Sequence, residues 1–164
     1  MDSRRLVVVR HAKSAWPDGV PDAERPLNAR GRRDAPAIGR WLRDRVGHFD
    51  AVVCSPATRT RQTWGLIAAE LEAAPDPVFD DRVYAATEET LLAVVRGISD
   101  DAGSLLVVGH NPGVAELVFS LTGEHLEMKT SAVSVLGLTG SWVDVGPGRA
   151  TLIDQATPRG VPTA

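Results

Sequence analysis

Three short runs of the chain are apolar without interruption: Leu6-Val7-Val8-Val9, Ala51-Val52-Val53-Cys54, and Ser104 to Val108. Rich in β-branched residues and too short for helices, they read as strands buried on both faces, the pattern of a parallel sheet covered by helices. Elsewhere the period lengthens. Ala35, Ile38, Leu42 and Val46 fall on one face of a helix from about Gly31 to Val46. Trp64, Ile67, Ala68 and Leu71 mark a second, ended by Ala74-Pro75-Asp76-Pro77. A brief strand near Val78-Phe79 precedes a third helix from about Thr87, with Leu91, Val94 or Val95, and Ile98 inward. Thr87 can cap it alone, because Thr90 stands where a capping box needs Glu or Gln. Val114, Leu117, Val118 and Leu121 define a fourth helix, with Asn111 as its expected N-cap and Pro112 as its first residue.

Residues 12–30, rich in Pro, Asp and Ala, read as a loop. Past Thr130, Ala132 to Leu138 and Ala150 to Ile153 read as strands joined through a Gly-rich segment holding Trp142 and Val143. Residues 155–164, with Pro158 and Pro162, read as a loose tail. No repeat or linker divides the chain, so residues 1–164 are expected to form one domain. Strands alternating with helices argue for an α/β fold, a three-layer α/β/α sandwich with a mostly parallel central sheet.

Composition narrows the functional classes. The apolar share of 43% and charged share of 24% are those of a folded chain rather than a disordered one. A formal net charge of −3 supplies no global basic field for nucleic acid or an anionic membrane. Any anion must therefore be met by locally focused charge. The one cysteine, Cys54, can form no intramolecular disulfide and suits a reducing compartment. No apolar run reaches membrane-spanning length, and the stretch after Met1 is too short for a signal-peptide core. The expectation is a cytoplasmic protein.

Chemistry concentrates where the buried runs end. Val9-Arg10-His11, Cys54-Ser55-Pro56-Ala57-Thr58-Arg59 and Val108-Gly109-His110-Asn111 all follow strands. Ligands of open α/β sheets collect at the carboxyl ends of strands, so Arg10, His11, Arg59 and His110 can meet in one crevice. A single strand-end histidine is usually structural and a single arginine usually solvated; four together are an inventory for phosphoryl transfer. Arginines offer forked donors that match phosphate oxygens, and an imidazole can act as nucleophile.

Several segments carry a resemblance. Leu6 to Ser14, with Arg10-His11-Ala12-Lys13-Ser14, resembles the opening Arg-His motif of the histidine phosphatase superfamily, whose fold is phosphoglycerate mutase-like. Ser55-Pro56-Ala57-Thr58-Arg59-Thr60-Arg61-Gln62-Thr63 is similar to its second motif, Val108-Gly109-His110-Asn111 to its third, and Arg25 to Gly31 to the segment before its first helix. The length and the Arg-His-Ala-Lys-Ser form most resemble the SixA-type phosphohistidine phosphatase branch. The resemblance implies that His11 attacks phosphorus and that Arg10, Arg59 and His110 hold the phosphoryl oxygens. It implies a phosphohistidine intermediate, with no metal and no cofactor. The attacking nitrogen must be neutral, so the other ring nitrogen should give its proton to a backbone carbonyl, and Arg10 and Arg59 should oppose protonation. Lys13 and Ser14 are candidates for supporting phosphate contacts.

One departure bears on the substrate. In the mutase-like branch a glutamate protonates the leaving oxygen, and here Asp80-Asp81-Arg82-Val83-Tyr84-Ala85 puts an alanine in its place. An imidazole leaving a phosphoramidate can be protonated beforehand and needs less help than an alkoxide. The favoured partner is therefore a protein carrying phosphohistidine, with a small phosphate ester as the alternative. Asp18, Glu88 or Glu89 could serve as acid in Ala85's stead, although loop and first-turn carboxylates are commonly just that. A phosphoglycerate-type mutase is disfavoured by the short chain and Ala85, and a silent phosphate-binding module by an intact His11.

Other features take bland readings. Cys54 and Arg59 are separated by four residues, one fewer than in a cysteine-phosphatase loop, and Cys54 lies in an apolar run where an inert thiol is expected. His48 and His125 should face solvent. Trp16 either lines an entrance or packs the loop. Arg30, Arg32, Arg33, Arg40, Arg43 and Arg45 read as the wet face of a helix. The oligomeric state is left open.

Overall fold

The structure, a computed structural model, describes residues 3–162. Six strands form one sheet: β1 (Ser3–Arg10), β2 (Ala51–Cys54), β3 (Val78–Phe79), β4 (Ser104–Gly109), β5 (Val133–Thr139) and β6 (Thr151–Ala156). The order across the sheet is β3-β2-β4-β1-β5-β6. The first four are mutually parallel, and β5 runs antiparallel to both β1 and β6. The mostly parallel sheet expected from the uninterrupted apolar runs is present.

Four helices cover it: α1 (Ala29–Arg45), α2 (Thr58–Ala68), α3 (Glu88–Arg96) and α4 (Gly113–Thr122). Alternation along the strands assigns each face. Leu6 and Val8 of β1, with Leu105 and Val107 of β4, join a core containing Leu91, Val94 and Val95 of α3 and Val114, Leu117 and Leu121 of α4. Val7 and Val9, with Leu106 and Val108, join the opposite core with Ile38 and Leu42 of α1 and Trp64 and Ile67 of α2. Leu6 through Val9 are all wholly buried, which is why the run shows no polar alternation. Among the described residues no helix is long and apolar enough to cross a membrane.

Differences from the sequence expectations have local causes. Helix α1 begins at Ala29, because the Asn28 side chain accepts from Gly31 N at 2.9 Å and caps it there. Thr87 caps α3 as expected, accepting from Thr90 N at 3.3 Å. Helix α2 stops at Ala68, so Leu71 packs on the core from beyond the helix end. Asn111 does not cap α4: its amide donates to Met128 O at 2.6 Å, Pro112 takes the cap position, and the helix starts at Gly113.

The tail is not loose over its described length. Strand β6 continues through Ala156, and beyond it Arg159 Nη1 and Gly160 N donate, each at 2.9 Å, to the buried Asp34 carboxylate of α1. The loop at 12–30 also has structure: Ser14 bridges Leu27, and a short 3₁₀ turn spans Asp22–Glu24. A side chain at Gly31 would collide with Lys13 O, so the glycine lets α1 seat directly on the segment that follows β1.

Candidate active site

The strand ends that the sequence singled out converge. β1 ends in Arg10 and leads into His11; its parallel neighbour β4 ends at Gly109 and leads into His110. The two imidazoles lie with ring centroids 5.3 Å apart. β2, on the far side of β4, leads through Ser55 into α2, whose second residue is Arg59. Arg10, His11, Arg59 and His110 are thus gathered at one sheet edge, as expected.

His11 is buried, and its Nδ1 lies 2.7 Å from Ala12 O. A carbonyl only accepts, so Nδ1 carries the proton and Nε2 keeps its lone pair. Burial pushes the His11 pKa down to about 3; the Ala12 carbonyl pulls the other way, and His110, Arg59 and Arg10 each add a smaller downward push. At neutral pH this ring is uncharged, with a nucleophilic nitrogen turned away from its backbone anchor.

His110 is held differently. Its Nε2 sits 2.7 Å from the fully buried Ser55 Oγ, which also accepts from Ala57 N at 3.3 Å. Either group can be the donor in that bond; an oxyanion facing Nδ1 selects the tautomer in which Ser55 donates to Nε2 and Nδ1 bears the proton. Burial and then Arg59 lower the His110 pKa to about 4. Arg10 donates to Met128 O at 3.2 Å, and its own pKa is lowered by burial and then by Arg59.

Side-chain atoms that are buried without a hydrogen-bond partner are rare in folded proteins. Among the described residues, Arg10 Nε, Arg59 Nε and His110 Nδ1 are three such donors, all within this cluster. Three unpartnered nitrogens beside a neutral imidazole suit the binding of a tetrahedral oxyanion near His11.

The second motif is explained residue by residue. Thr60 Oγ1 donates to Ser55 O and Ala57 O, each at 2.8 Å, closing the turn that aims Arg59. Thr63 Oγ1 donates to Arg59 O and accepts from Ala12 N at 3.0 Å, tying α2 to the residue after His11. Gln62 Oε1 accepts from Leu27 N at 2.8 Å and holds the loop beneath α1. Cys54 is buried, donates to Ser55 O, and has its pKa pushed up to about 12 by burial, so its thiol is inert as expected.

Not every candidate joins the cluster. Lys13 is exposed, and its ammonium makes no ion pair among the described residues. Ser14 is buried, but its hydroxyl accepts from Arg25 Nη1 at 2.8 Å. Asp18 is exposed in a turn, and Glu88 and Glu89 lie in the first turn of α3, none of them hydrogen-bonded to a cluster residue. His48 and His125 are exposed, the first on Asp50 and the second stacked on Phe119. Trp16 is exposed, with the Arg25 guanidinium 3.5 Å from its ring centre. Of the basic α1 face, Arg40 and Arg43 pair with Glu70 and Arg45 with Asp154, whereas Arg33 is half-buried.

Three residues at the site escaped the sequence reading. Asp22 accepts from Arg59 twice: its carboxylate from Nη2 at 3.0 Å and its carbonyl from Nη1 at 2.7 Å. Tyr84 donates its hydroxyl to the same carboxylate, and its ring lies at 84° to that of His110, centroids 5.5 Å apart. Ser55 orients His110. The spacing of Asp22 and Arg25, three apart before a helix, was one available signal, and the position of Tyr84 beside Ala85 another.

Comparison with known proteins decides the family. The sequence model of the histidine phosphatase superfamily (branch 1) matches residues 6–96. The chain belongs to the histidine phosphatase superfamily. An uncharacterized protein of Mycobacterium tuberculosis is 40% identical over 162 residues, covering 92% of this chain and all of its own. A protein assigned as the phosphohistidine phosphatase SixA of Nakamurella multipartitia superposes with a TM-score of 0.88 at 31% identity, over 96% of this chain and 98% of that one. Phosphoglycerate mutase of Plasmodium falciparum shares the fold alone, with a TM-score of 0.65 at 15% identity over 100% and 97% of the two chains. This histidine phosphatase is SixA-like in structure, and its activity is that of a phosphatase.

Proposed function

We propose that the enzyme removes a phosphoryl group from protein phosphohistidine by way of a phosphorylated His11. The single observation that carries this reading is the pairing of a neutral His11 Nε2 with three unpartnered donors, Arg10 Nε, Arg59 Nε and His110 Nδ1. In the first step the Nε2 lone pair attacks phosphorus in line. The phosphorus bond to the substrate imidazole breaks, and its electron pair goes to the departing nitrogen. The substrate reacts as its imidazolium form, protonated from solvent on the other ring nitrogen, so a neutral imidazole leaves without an acid from the enzyme. Water then attacks the phosphorylated His11, its proton passes to solvent, and orthophosphate departs. Arg10, Arg59 and His110 hold the equatorial oxygens throughout and offset the charge that shifts in the transition state.

Ala85 supports an activated phosphate as substrate. It is exposed and sits in the left-handed region with φ 53°, where the mutase-like branch carries its acid. Hydrolysis of a phosphoramidate tolerates that loss better than hydrolysis of an alkyl ester. The same reading keeps the enzyme in the cytoplasm, in accord with one buried cysteine.

Rapid quenching tests this directly. Brief mixing with phosphohistidine should yield a phosphoenzyme that is labile in acid and stable in base, with the label on the peptide containing His11. His11→Ala should fold normally, form no phosphoenzyme and show no turnover. Normal turnover in that variant, or label on another residue, would refute the reading.

A further inference from the structure

The carboxylate of Asp22 is the one acid that the described hydrogen bonds join to the phosphate-binding arginines of this site, and its arrangement suits a task that the steps above leave open. Its Oδ2 accepts from Arg59 and from Tyr84, and its Oδ1 from Arg25 Nε at 3.1 Å. A carboxylate offers about four acceptor positions, so about one is left over. The side chain is 51% exposed, so that position is open to solvent at the mouth of the cluster. The Tyr84 hydroxyl, followed by Arg59 and Arg25, holds the Asp22 pKa well below the usual carboxylate range. Such a group cannot serve as the leaving group's acid. It is a fixed negative charge and hydrogen-bond acceptor.

Arg59 is consequently divided. Its two Nη atoms donate to Asp22, while its buried Nε has no partner among the described residues. An oxyanion on the Nε edge and Asp22 on the Nη edge can coexist. That carboxylate is flanked by Tyr84, whose ring lies at 84° to the His110 ring with centroids 5.5 Å apart.

We propose that Asp22 is a specificity-determining residue that accepts a hydrogen bond from a protonated nitrogen leaving group. The inference rests on the phosphohistidine reading above and deepens it. A substrate imidazole bonded to phosphorus through one nitrogen can take up a proton from solvent on the other, and only in that protonated form is it a good leaving group. A carboxylate at that proton favours the reactive form, and the P–N bond then breaks to release the neutral ring with the proton still in place. A phenolate leaving group has no such proton and carries the same sign as Asp22, so the residue discriminates against it. A guanidinium leaving group meets the same requirement as an imidazole.

The test is a ratio. Wild type, Asp22→Asn and Asp22→Glu are assayed for kcat/KM on phosphohistidine and on p-nitrophenyl phosphate, with thermal melting as the check on folding. In Asp22→Asn the preference for phosphohistidine over the aryl ester should fall about tenfold or more, since the amide oxygen still accepts but lacks the charge that favours the protonated ring and opposes the phenolate. Asp22→Glu, which keeps the charge, should retain most of the preference. An unchanged or increased preference in Asp22→Asn overturns the inference. In particular, a uniform gain on both substrates together with tighter orthophosphate binding would make Asp22 a plug of the phosphate seat instead. Asp22→Ser, measured the same way, serves if the asparagine variant does not fold. A wild type that forms no phosphoenzyme would sink the underlying function, whereas a normal phosphoenzyme with an unaltered ratio would sink the Asp22 inference alone.

Discussion

Two arginines on one strand show how the same residue is used for opposite ends. Arg4, near the start of β1, is buried and saturated: it donates to Gly140 O, Asp100 O and Ala102 O, pairs with Asp100 and faces the Trp142 ring. Arg10, at the other end, has one carbonyl partner and a buried Nε with none among the described residues. Six residues apart in sequence, both point to the α3/α4 side of the sheet by strand alternation. At the amino end the protein supplies every acceptor, and the guanidinium is a clamp between β1, β5 and the turn before β4. At the carboxyl end the Nε atoms of Arg10 and Arg59 are left without an acceptor, beside two uncharged imidazoles. A fully satisfied charge holds structure together; an under-satisfied one is ready for an anion.

This contrast can be broken from either end. Arg10→Ala should lower kcat/KM by about 10²–10³, the scale of losing one transition-state donor. Its melting temperature should stay near the wild-type value, because removing Arg10 relieves repulsion from Arg59. Arg4→Ala should do the reverse. It strands buried carbonyls and the packing over Trp142, at about 2–4 kcal/mol of stability, while the folded fraction keeps its activity. Denaturant titration and steady-state kinetics on the two variants separate these outcomes. Comparable loss of stability in both would erase the distinction.

A smaller effect lies in the pH dependence of stability. His11 and His110 titrate at about 3 and about 4 in the folded chain, whereas an unfolded histidine titrates near about 6.5. Below pH 6.5 the unfolded chain binds protons that the folded one refuses, so stability falls with pH there, and this contribution is flat above 7. By pH 5 the loss should approach roughly 2 kcal/mol per histidine. Saturating orthophosphate should reduce it, because a bound dianion favours the protonated rings. Urea unfolding between pH 7.5 and 5, above the range of ordinary carboxylates, measures the slope; a flat profile would mean that the rings are not buried against positive charge.

How far the sequence alone carried depended on whether the relevant physics was local. The strands β1, β2 and β4 were legible because burial on both faces leaves an uninterrupted apolar run, and the four principal site residues because each follows such a run. The cap of α4 differs from expectation because the bond from Asn111 Nδ2 to Met128 O, 17 residues on, fixes the side chain in an orientation where its Oδ1 accepts from no helix N–H. The tail was misread because the buried Asp34 needs donors that lie 125 and 126 residues away. Asp22 and Tyr84 have only weak local signals for the same reason: 62 residues separate them, and they meet only once the loop after β1 folds over Arg59.

The account stands on the claim that Arg10 Nε, Arg59 Nε and His110 Nδ1 surround the space into which His11 Nε2 attacks. A crystal structure with bound vanadate measures this most directly. The predicted result is vanadium bonded to His11 Nε2, with its oxygens within hydrogen-bond distance of all three donors. Vanadate seated elsewhere, or bound with His11 Nε2 turned away from the metal centre, would contradict it.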